Sequence, residues 1–367
     1  MVRTVYWSVE HGTSTPTDNW LGIALRRYSP GVRELCCREA SSGSFRQAAD
    51  DLARVGQIIL THETLRRIVE VEGRQAVWAQ HSGHLRPAWS ATDCRVEGTS
   101  STCVITGADG VKVPLVTEAE KAKRRRLRRR RGPKARHRRC RMHRGSDQSY
   151  KEFKLVAFYD PSKDHQYAVG TSGNHIILGR LMRRVAGWID LGTADVSYSV
   201  TDGAGWILKQ YNQRLPMLAA NVLDYYHLRE HVIVTSYRVF GESTAEASAW
   251  REEMMGLVLE QGPLALLDRV GELRQSLRAK NKREALAKLR QYVVKRVAML
   301  DYPTFSEKGY EIGSGPTEAF CKTLTRRLKG PGMRWDRPHA EGVMALAAIR
   351  SSGLWNRYWA DQRRDVA

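Results

Sequence analysis

The chain has 367 residues, 42% of them hydrophobic, which is enough for a sizeable core in two or three domains. Its formal net charge of +21 favours polyanionic partners, namely DNA, RNA or an anionic membrane surface. No apolar run reaches the roughly 18 residues of a membrane span, and the first residues lack the apolar segment of a secretory signal. Six scattered cysteines without a C-x-x-C pair disfavour a zinc finger and suit a reducing cytosol. We therefore expect a cytoplasmic protein with no membrane association.

Residues 1–80 are predicted to form a helical region that resembles a helix-turn-helix. Ser44 is a candidate cap for one helix, and Thr61 for a second helix that ends near Gly73. In such a pair the second helix lies in a major groove of DNA. The side chains expected to face DNA are Thr61, His62, Thr64, Arg66 and Arg67. An ordinary helical hairpin is the alternative.

A layered α/β domain is predicted to follow a linker at residues 81–101, which are rich in Gly, Ser, Thr and His. The runs between residues 102 and 227 alternate as β, β, β, α, β, α, β, which is typical of a mixed sheet covered by helices. Residues 228–300 are almost wholly helical in pattern and indicate an all-α insertion. Residues 301–367 return to the α/β domain.

A basic arm spans residues 121–144, where 15 residues are Lys or Arg and none is Asp or Glu. Such a segment cannot bury itself, and it can neutralise many phosphates in a salt-dependent way. A solvated tail is the alternative. The arm residues expected to contact DNA are Arg124, Arg125, Arg126, Arg128, Arg129, Arg130, Arg131 and Lys134. His137, Cys140 and His143 lie in the same arm, but the surrounding cations oppose a metal ion there.

Three carboxylates stand where strands end or helices begin. Asp109 ends the first β run, Asp202 follows the β-prone residues 196–200, and Glu318 lies at a helix start. Sheets of this class bind ligands in the crevice at the carboxyl ends of their strands. Two or three acids suffice to hold Mg²⁺, and a pair of such ions about 3.5–4 Å apart supports phosphoryl transfer on nucleic acid. Among 39 acidic residues, this spacing alone is a weak signal.

Longer motifs give a more specific signal. They are Asp109-Gly-Val-Lys-Val-Pro-Leu-Val-Thr-Glu-Ala-Glu-Lys121, Tyr150-Lys-Glu-Phe-Lys-Leu-Val156, Asp202-Gly-Ala-Gly-Trp-Ile207, Asp224-Tyr-Tyr-His227, Gly313-Ser-Gly-Pro-Thr-Glu318, Arg326-Arg-Leu-Lys-Gly330 and Gly332-Met-Arg-Trp335. In this order, from about Ser29 to Trp359, they resemble the DDE transposases of bacterial insertion sequences, of the ISKra type, which are related to Mutator-like transposases. The resemblance implies an α/β fold in which an all-α insertion interrupts an RNase H-like catalytic domain, with a helical domain before it.

The resemblance also implies a catalytic site. It assigns Asp109, Asp202 and Glu318 as a triad that binds Mg²⁺ or Mn²⁺, with two ions per site. It sets Asp224 and His227 beside the triad as a D-x-x-H motif, although the residues alone favour a structural hydrogen-bonded pair. The implied activity is strand cleavage at the terminal inverted repeats of an element and transfer of the 3′-hydroxyl into target DNA.

The same resemblance implies a homo-oligomer on DNA, associated with the bacterial nucleoid. A domesticated or inactive transposase, acting as a sequence-dependent DNA-binding protein, is the alternative function. Further DNA contacts are expected from Arg326, Arg327 and Lys329, which follow Glu318. Trp206 and Trp335 are candidates for stacking on unpaired bases, with core packing as the alternative for both.

Overall fold

The computed structural model describes residues 5–10, 12–17, 27–131, 149–330 and 333–364, which form a mixed α/β architecture, as predicted. The strands are β1 Tyr6–Ser8, β2 Gly12–Ser14, β3 Cys103–Leu115, β4 Ser149–Tyr159, β5 Gln166–Thr171, β6 Val196–Thr201 and β7 Ala220–Leu223. The helices are α1 Pro30–Ala40, α2 Phe45–Val55, α3 His62–Ser82, α4 Glu118–Arg131, α5 His175–Trp188, α6 Gly205–Arg214, α7 Tyr225–Phe240, α8 Ala245–Glu260, α9 Pro263–Ser276, α10 Lys280–Val294, α11 Tyr302–Glu307, α12 Gly315–Lys329, α13 Arg337–Ser351 and α14 Trp355–Arg364.

A five-stranded mixed sheet with the order β5-β4-β3-β6-β7 forms the centre of the fold. β4 runs antiparallel to both β3 and β5, whereas β6 runs parallel to both β3 and β7. The interior of β4 is almost continuously buried, because helices cover both faces of the sheet. The elements predicted between residues 102 and 227 are present as β3, β4, β5, α5, β6, α6 and β7, but the helix α4, which the predicted order did not include, lies between β3 and β4.

The helices before the sheet begin where the sequence predicts, but one of them extends further. The hydroxyls of Ser44 and Thr61 each accept a backbone N–H in the first turn of α2 and α3. The prediction that the second helix ends near Gly73 is wrong, since α3 continues to Ser82. A Cβ at Gly73 would lie 2.9 Å from the backbone of Gly342 in α13. This glycine therefore permits two helices to cross closely and does not end a helix.

The segments around the sheet also pack onto it. Residues 83–101, expected to be a linker, bury Leu85, Ala91 and Cys94 against the rest of the fold. Helices α7 to α10 follow β7 in the stretch that the sequence predicts to be helical throughout. Within the described ranges, no helix combines the length and the apolar character that crossing a membrane requires.

Candidate active site

Three aspartates lie at one level of the sheet. β3 pairs with β6 in parallel up to Thr106, and β6 pairs with β7 up to Thr201. Continuing these registers past the last paired residues sets Asp109 beside Asp202, and Asp202 beside Asp224. Residues in register on parallel strands point to the same face of a sheet. The backbone alone therefore directs the three side chains to one crevice.

The same crevice receives Glu318 from the first turn of α12. Asp109, Asp202 and Glu318 line one cleft of about 230 Å³, together with Asp224 and His227. The Glu318 side chain is 54% exposed, so its carboxylate is accessible to a ligand from solvent. The fold thus brings together the three acids that the motifs singled out.

The local setting of Asp109 differs from the prediction. Asp109 does not end its strand, because β3 continues to Leu115 in antiparallel pairing with β4. Only the pairing with β6 stops before it, at Thr106. Asp109 is therefore fixed by a continuous strand on one side and faces the cleft where the neighbouring strand has ended.

Asp202 is held in a turn and partly withdrawn from water. Its Oδ1 accepts the N–H of Ala204 at 2.8 Å. Burial raises the pKa of Asp202 above its usual value, and the negative charge of Asp109 raises it further, against the lowering effect of the Ala204 N–H. His227 and Arg296 add smaller lowering effects. A carboxylate whose pKa is raised by burial and by a neighbouring negative charge is one that a bound cation would stabilise in its charged form.

Asp109 has a partner that the sequence did not single out. Its Oδ1 accepts the N–H of Gly110 at 2.5 Å, and its Oδ2 accepts the thiol of Cys321 at 3.1 Å. Burial raises the pKa of Cys321, and Asp109 raises it further, so the sulfur keeps its proton and donates it. The one available signal was its position three residues after Glu318, which is the same face of a helix.

Asp224 has a structural role in this site. It is 2% exposed, and its Oδ1 accepts the N–H groups of Tyr226 and His227 at 2.6 and 3.2 Å, which caps α7. Its Oδ2 accepts the N–H of Ser314 at 2.9 Å and also the Ser314 hydroxyl. Asp224 therefore ties the end of β7 to the residue before the Glu318 helix, which fits the structural alternative for this motif.

The helical insertion reaches the cleft through a stack of side chains. The ring of His227 meets that of His231 edge-on at 5.2 Å, and His231 stacks on Tyr292 at 3.8 Å. Arg296 lies over Tyr292 and donates two hydrogen bonds to the Gly203 carbonyl, at 3.2 and 2.9 Å. The end of the insertion thus supports the turn that holds Asp202.

A larger groove of about 680 Å³ continues from the cleft, and Asp109 and Glu318 line both. Four exposed cationic side chains contribute to its walls. They are Lys112, Lys322, Arg326 and Lys329. Arg326 and Lys329, predicted as DNA contacts, therefore lie beside the candidate triad, and the groove has the charge that a phosphate backbone requires.

Arg327 and Trp335 face the interior, which corrects the DNA contact expected of Arg327 and agrees with the core-packing alternative for Trp335. Arg327 is buried, donates to the Ala40 carbonyl at 2.9 Å and lies over the Phe45 and Trp335 rings at 5.0 and 5.1 Å. It is not accessible to a phosphate. Trp335 is 5% exposed and packs edge-on against Phe45 at 5.7 Å, so core packing, and not base stacking, describes it.

Trp206 is half-buried, and one face of its ring is occupied. The ammonium of Lys154 lies 4.4 Å from the ring centroid. Burial lowers the pKa of Lys154, while the charge of Asp109 opposes this effect. Lys154, which also forms an ion pair with Glu152, therefore lies near the cleft, a position that its motif in the sequence did not indicate.

The predicted DNA contacts outside the groove divide into accessible and paired side chains. Arg125 and Arg126 on α4 are exposed, and Arg67 on α3 is 73% exposed although it also pairs with Glu63 at 3.4 Å. Arg66 is bound by Glu63 at 2.6 Å and by Glu70. The backbone of α4 also carries Arg124, Arg128, Arg129, Arg130 and Arg131. Lys134, His137, Cys140 and His143 lie outside the described residues.

Residues 56–61 separate α2 from α3, a longer connection than the three or four residues typical of a helix-turn-helix.

Comparison with protein-family models finds no match, and comparison with curated proteins finds none either. Among solved structures, a chain of the Drosophila P element transposase strand transfer complex is similar at 11% identity, with a TM-score of 0.30. The match covers 91% of this chain and 81% of that one.

Proposed function

We propose that this protein is a metal-dependent DNA transposase of the DDE type, which cleaves strands at element ends and joins the freed 3′-hydroxyl to target DNA. The observation that carries the proposal is the single cleft shared by Asp109, Asp202 and Glu318, with a cationic groove beside it. A five-stranded mixed sheet under helices is consistent with an RNase H-like catalytic domain.

The donor set fits magnesium or manganese. Asp109, Asp202 and Glu318 offer carboxylate oxygens, which hard divalent cations prefer. The raised pKa of Asp202 beside Asp109 marks a position where added positive charge is favourable. When bound, two such ions would favour deprotonation of the attacking hydroxyl and stabilise the leaving oxygen.

The chain's own groups orient the reacting parts. The Gly110 N–H and the Cys321 thiol hold both oxygens of Asp109, and the Ala204 N–H holds Asp202. Arg326 and Lys329 would bind the phosphates that flank the scissile bond.

The two reactions are successive displacements at phosphorus. Water attacks the phosphorus at the element end and breaks its bond to the 3′-oxygen, which leaves a 3′-hydroxyl and a 5′-phosphate. The 3′-hydroxyl then attacks a target phosphodiester and displaces the 3′-oxygen of that strand. A homo-oligomer on DNA, in the bacterial cytoplasm near the nucleoid, belongs to the same proposal.

Cleavage of the DNA that flanks the coding region tests the proposal. The full-length protein with Mg²⁺ should nick a labelled duplex that carries the terminal inverted repeat, and Glu318→Gln should abolish nicking while binding stays near normal. Glu307→Gln, an exposed acid on α11, is the matched control and should cleave normally. Equal cleavage by Glu318→Gln would remove the triad assignment.

The alternative function, a domesticated or inactive DNA-binding protein, also draws on the net charge of +21 and the cationic groove. It predicts sequence-dependent binding by the full-length protein and no nicked product with either Mg²⁺ or Mn²⁺. Binding without cleavage across both metals would therefore favour it over the transposase.

A further inference from the structure

A second cluster of metal-binding side chains lies away from the candidate active site. Cys94, Asp160 and His165 each offer one ligand atom, and these atoms all lie within 4.8 Å of one another. Asp160 and His165 come from the turn between β4 and β5, and Cys94 comes from the segment that leads into β3. The fold therefore joins three side chains from two separate stretches of chain.

The turn itself is tightly defined by hydrogen bonds. Asp160 Oδ1 accepts the N–H of His165 at 3.0 Å, and its Oδ2 accepts the Ser162 hydroxyl at 2.9 Å. Nδ1 of His165 lies 2.9 Å from the same Oδ2. The backbone closes the turn twice, from Asp160 N–H to His165 O at 3.1 Å and from Lys163 N–H to Asp160 O at 3.1 Å. The carboxylate and the imidazole are thus preorganised side by side.

These hydrogen bonds involve Asp160 and His165 but not Cys94. Cys94 is completely buried, and its thiol has one long contact, 3.7 Å to the Ser90 carbonyl. The strand-like bond from the Cys103 N–H to the Cys94 carbonyl, at 2.8 Å, fixes its backbone against the start of β3. A buried thiol therefore lies within 4.8 Å of a carboxylate–imidazole pair that is already satisfied without it.

The surroundings suit a cation. Asp160 is buried, whereas the His165 side chain is 31% exposed, which leaves a path for an ion and a water molecule. The Trp89 ring lies edge-on against His165 at 5.8 Å and shields one side. Asp93 lies near enough to His165 for their charges to interact. The cluster therefore combines negative charge, partial shielding and an opening.

We propose that Cys94, Asp160 and His165 bind one Zn²⁺ ion, with water as the fourth ligand. Sulfur, imidazole nitrogen and carboxylate oxygen are the donors that zinc takes, and a thiolate selects zinc over magnesium. Ligand atoms of a tetrahedral zinc site are roughly 3.5 Å apart, so ligand atoms that now lie within 4.8 Å of one another would have to approach by up to about 1.3 Å. Binding releases the thiol proton to solvent and leaves a thiolate on the metal. The ion would link the entrance of β3 to the β4–β5 turn.

Metal content of the full-length protein tests the site. Protein grown with added zinc and transferred into Mg²⁺ buffer should hold about one Zn²⁺ per chain. Co²⁺ exchanged for zinc should give the sulfur-to-cobalt charge-transfer absorption of a thiolate complex. Cys94→Ser should abolish that absorption and, as the loss of a direct ligand, lower zinc affinity by at least about 100-fold.

Matched variants show whether the zinc is bound by these three side chains or elsewhere on the chain. Cys36→Ser removes another buried thiol and Asp109→Asn alters the candidate triad, and both should keep the zinc. His165→Asn, at a half-exposed position, serves if Cys94→Ser fails to fold, and it should also lose the ion. Zinc that persists in both ligand variants, or that disappears with Cys140→Ser in the basic arm, would overturn the proposal. So would wild-type protein without zinc and without the cobalt absorption.

Discussion

The candidate triad beside β3 and the proposed zinc cluster near the start of β3 differ in the chemistry of their donor atoms. At one level, Asp109, Asp202 and Glu318 offer carboxylate oxygens to an open cleft. Near the start of the strand, Cys94 and its partners offer sulfur, oxygen and nitrogen in a mostly buried turn. Open oxygen sites suit Mg²⁺, which keeps several waters, whereas thiolate sites hold zinc tightly as part of the folded structure.

One strand connects the two clusters. Extending the β3–β4 register by one residue sets Asp160 beside Val104, five residues before Asp109. At the rise of a β-strand this separation is about 17 Å. A single rigid element can therefore carry both an exchangeable reactive site and a permanent structural one. Variants at each site show whether the two are independent.

Asp202→Asn should have the largest effect, and it should be confined to the open cleft. Cleavage should fall by more than about 100-fold, since even outer-shell partners of a metal cost about 10- to 100-fold. Because burial and Asp109 raise the pKa of Asp202, the neutral amide should leave metal-free stability unchanged or higher. Cleavage rates, urea unfolding and zinc content measure the three results. A loss of zinc in this variant would show that the sites are coupled.

Asp224→Ala should destabilise the fold by about 2–4 kcal/mol, because it removes a helix cap and leaves buried Ser314 donors without a partner. The cleavage reaction should also need more Mg²⁺, since Asp224 positions the segment before Glu318. Urea unfolding and Mg²⁺ titration measure these effects. Asp301→Ala is the control, at a helix start where the side chain makes no capping bond. Equal Mg²⁺ requirements in wild type and Asp224→Ala would contradict the positioning role.

Gly107→Ala should reduce stability by about 1–3 kcal/mol through overpacking. A Cβ at this position of β3 would lie 2.9 Å from Cβ of Thr317, so α12 must move and carry Glu318 with it. Cleavage should therefore fall while zinc content stays constant. Gly187→Ala, in a helix with nothing within 4 Å of the added Cβ, is the control and should be neutral or stabilising. Normal cleavage by a folded Gly107→Ala protein would show that Glu318 tolerates displacement.

Arg326→Ala and Lys329→Ala should have the smallest effects. Each should weaken DNA binding a few-fold and reduce the slope of log K against log[salt] by about 0.9 if it contacts one phosphate. Lys163→Ala, in the β4–β5 turn beside the zinc cluster, should change neither value. Fluorescence anisotropy at several salt concentrations gives the slopes. If Lys163→Ala reduced the slope equally, the DNA would contact the β4–β5 turn as well as the groove.

Local patterns predicted the elements that surround the sites. Ser44 and Thr61 each cap a helix where the sequence indicates a helix start. Such features depend on neighbours within a few residues, which a sequence displays directly. The triad acids were identified by motif, but their meeting depends on the parallel β3–β6 register and on the packing of α12 against β3, which no local pattern encodes.

The features that escaped prediction depend on distant contacts. Arg326 and Arg327 differ in sequence position by one, yet a helix turns by about 100° per residue, so one lines the groove and the other is buried. From the sequence alone, Gly73 suggests the end of a helix, because its close contact with Gly342 of another helix is not visible there. Cys94 and His165 have no recognisable metal-binding spacing, because only the fold brings the two stretches together.

Asp224, directly after β7, accepts a hydrogen bond from Ser314, directly before α12, although the two residues are 90 positions apart in sequence. Whatever lies between these two points is closed into a loop whose ends are already clamped. Within this loop, Arg296 and Tyr302 bond the ends of the strands, so only the helical parts that make no such contact could be exchanged, by recombination or by design, without moving the acids. A shorter helical bundle that retains these contacts is a route to a smaller protein with the same candidate site.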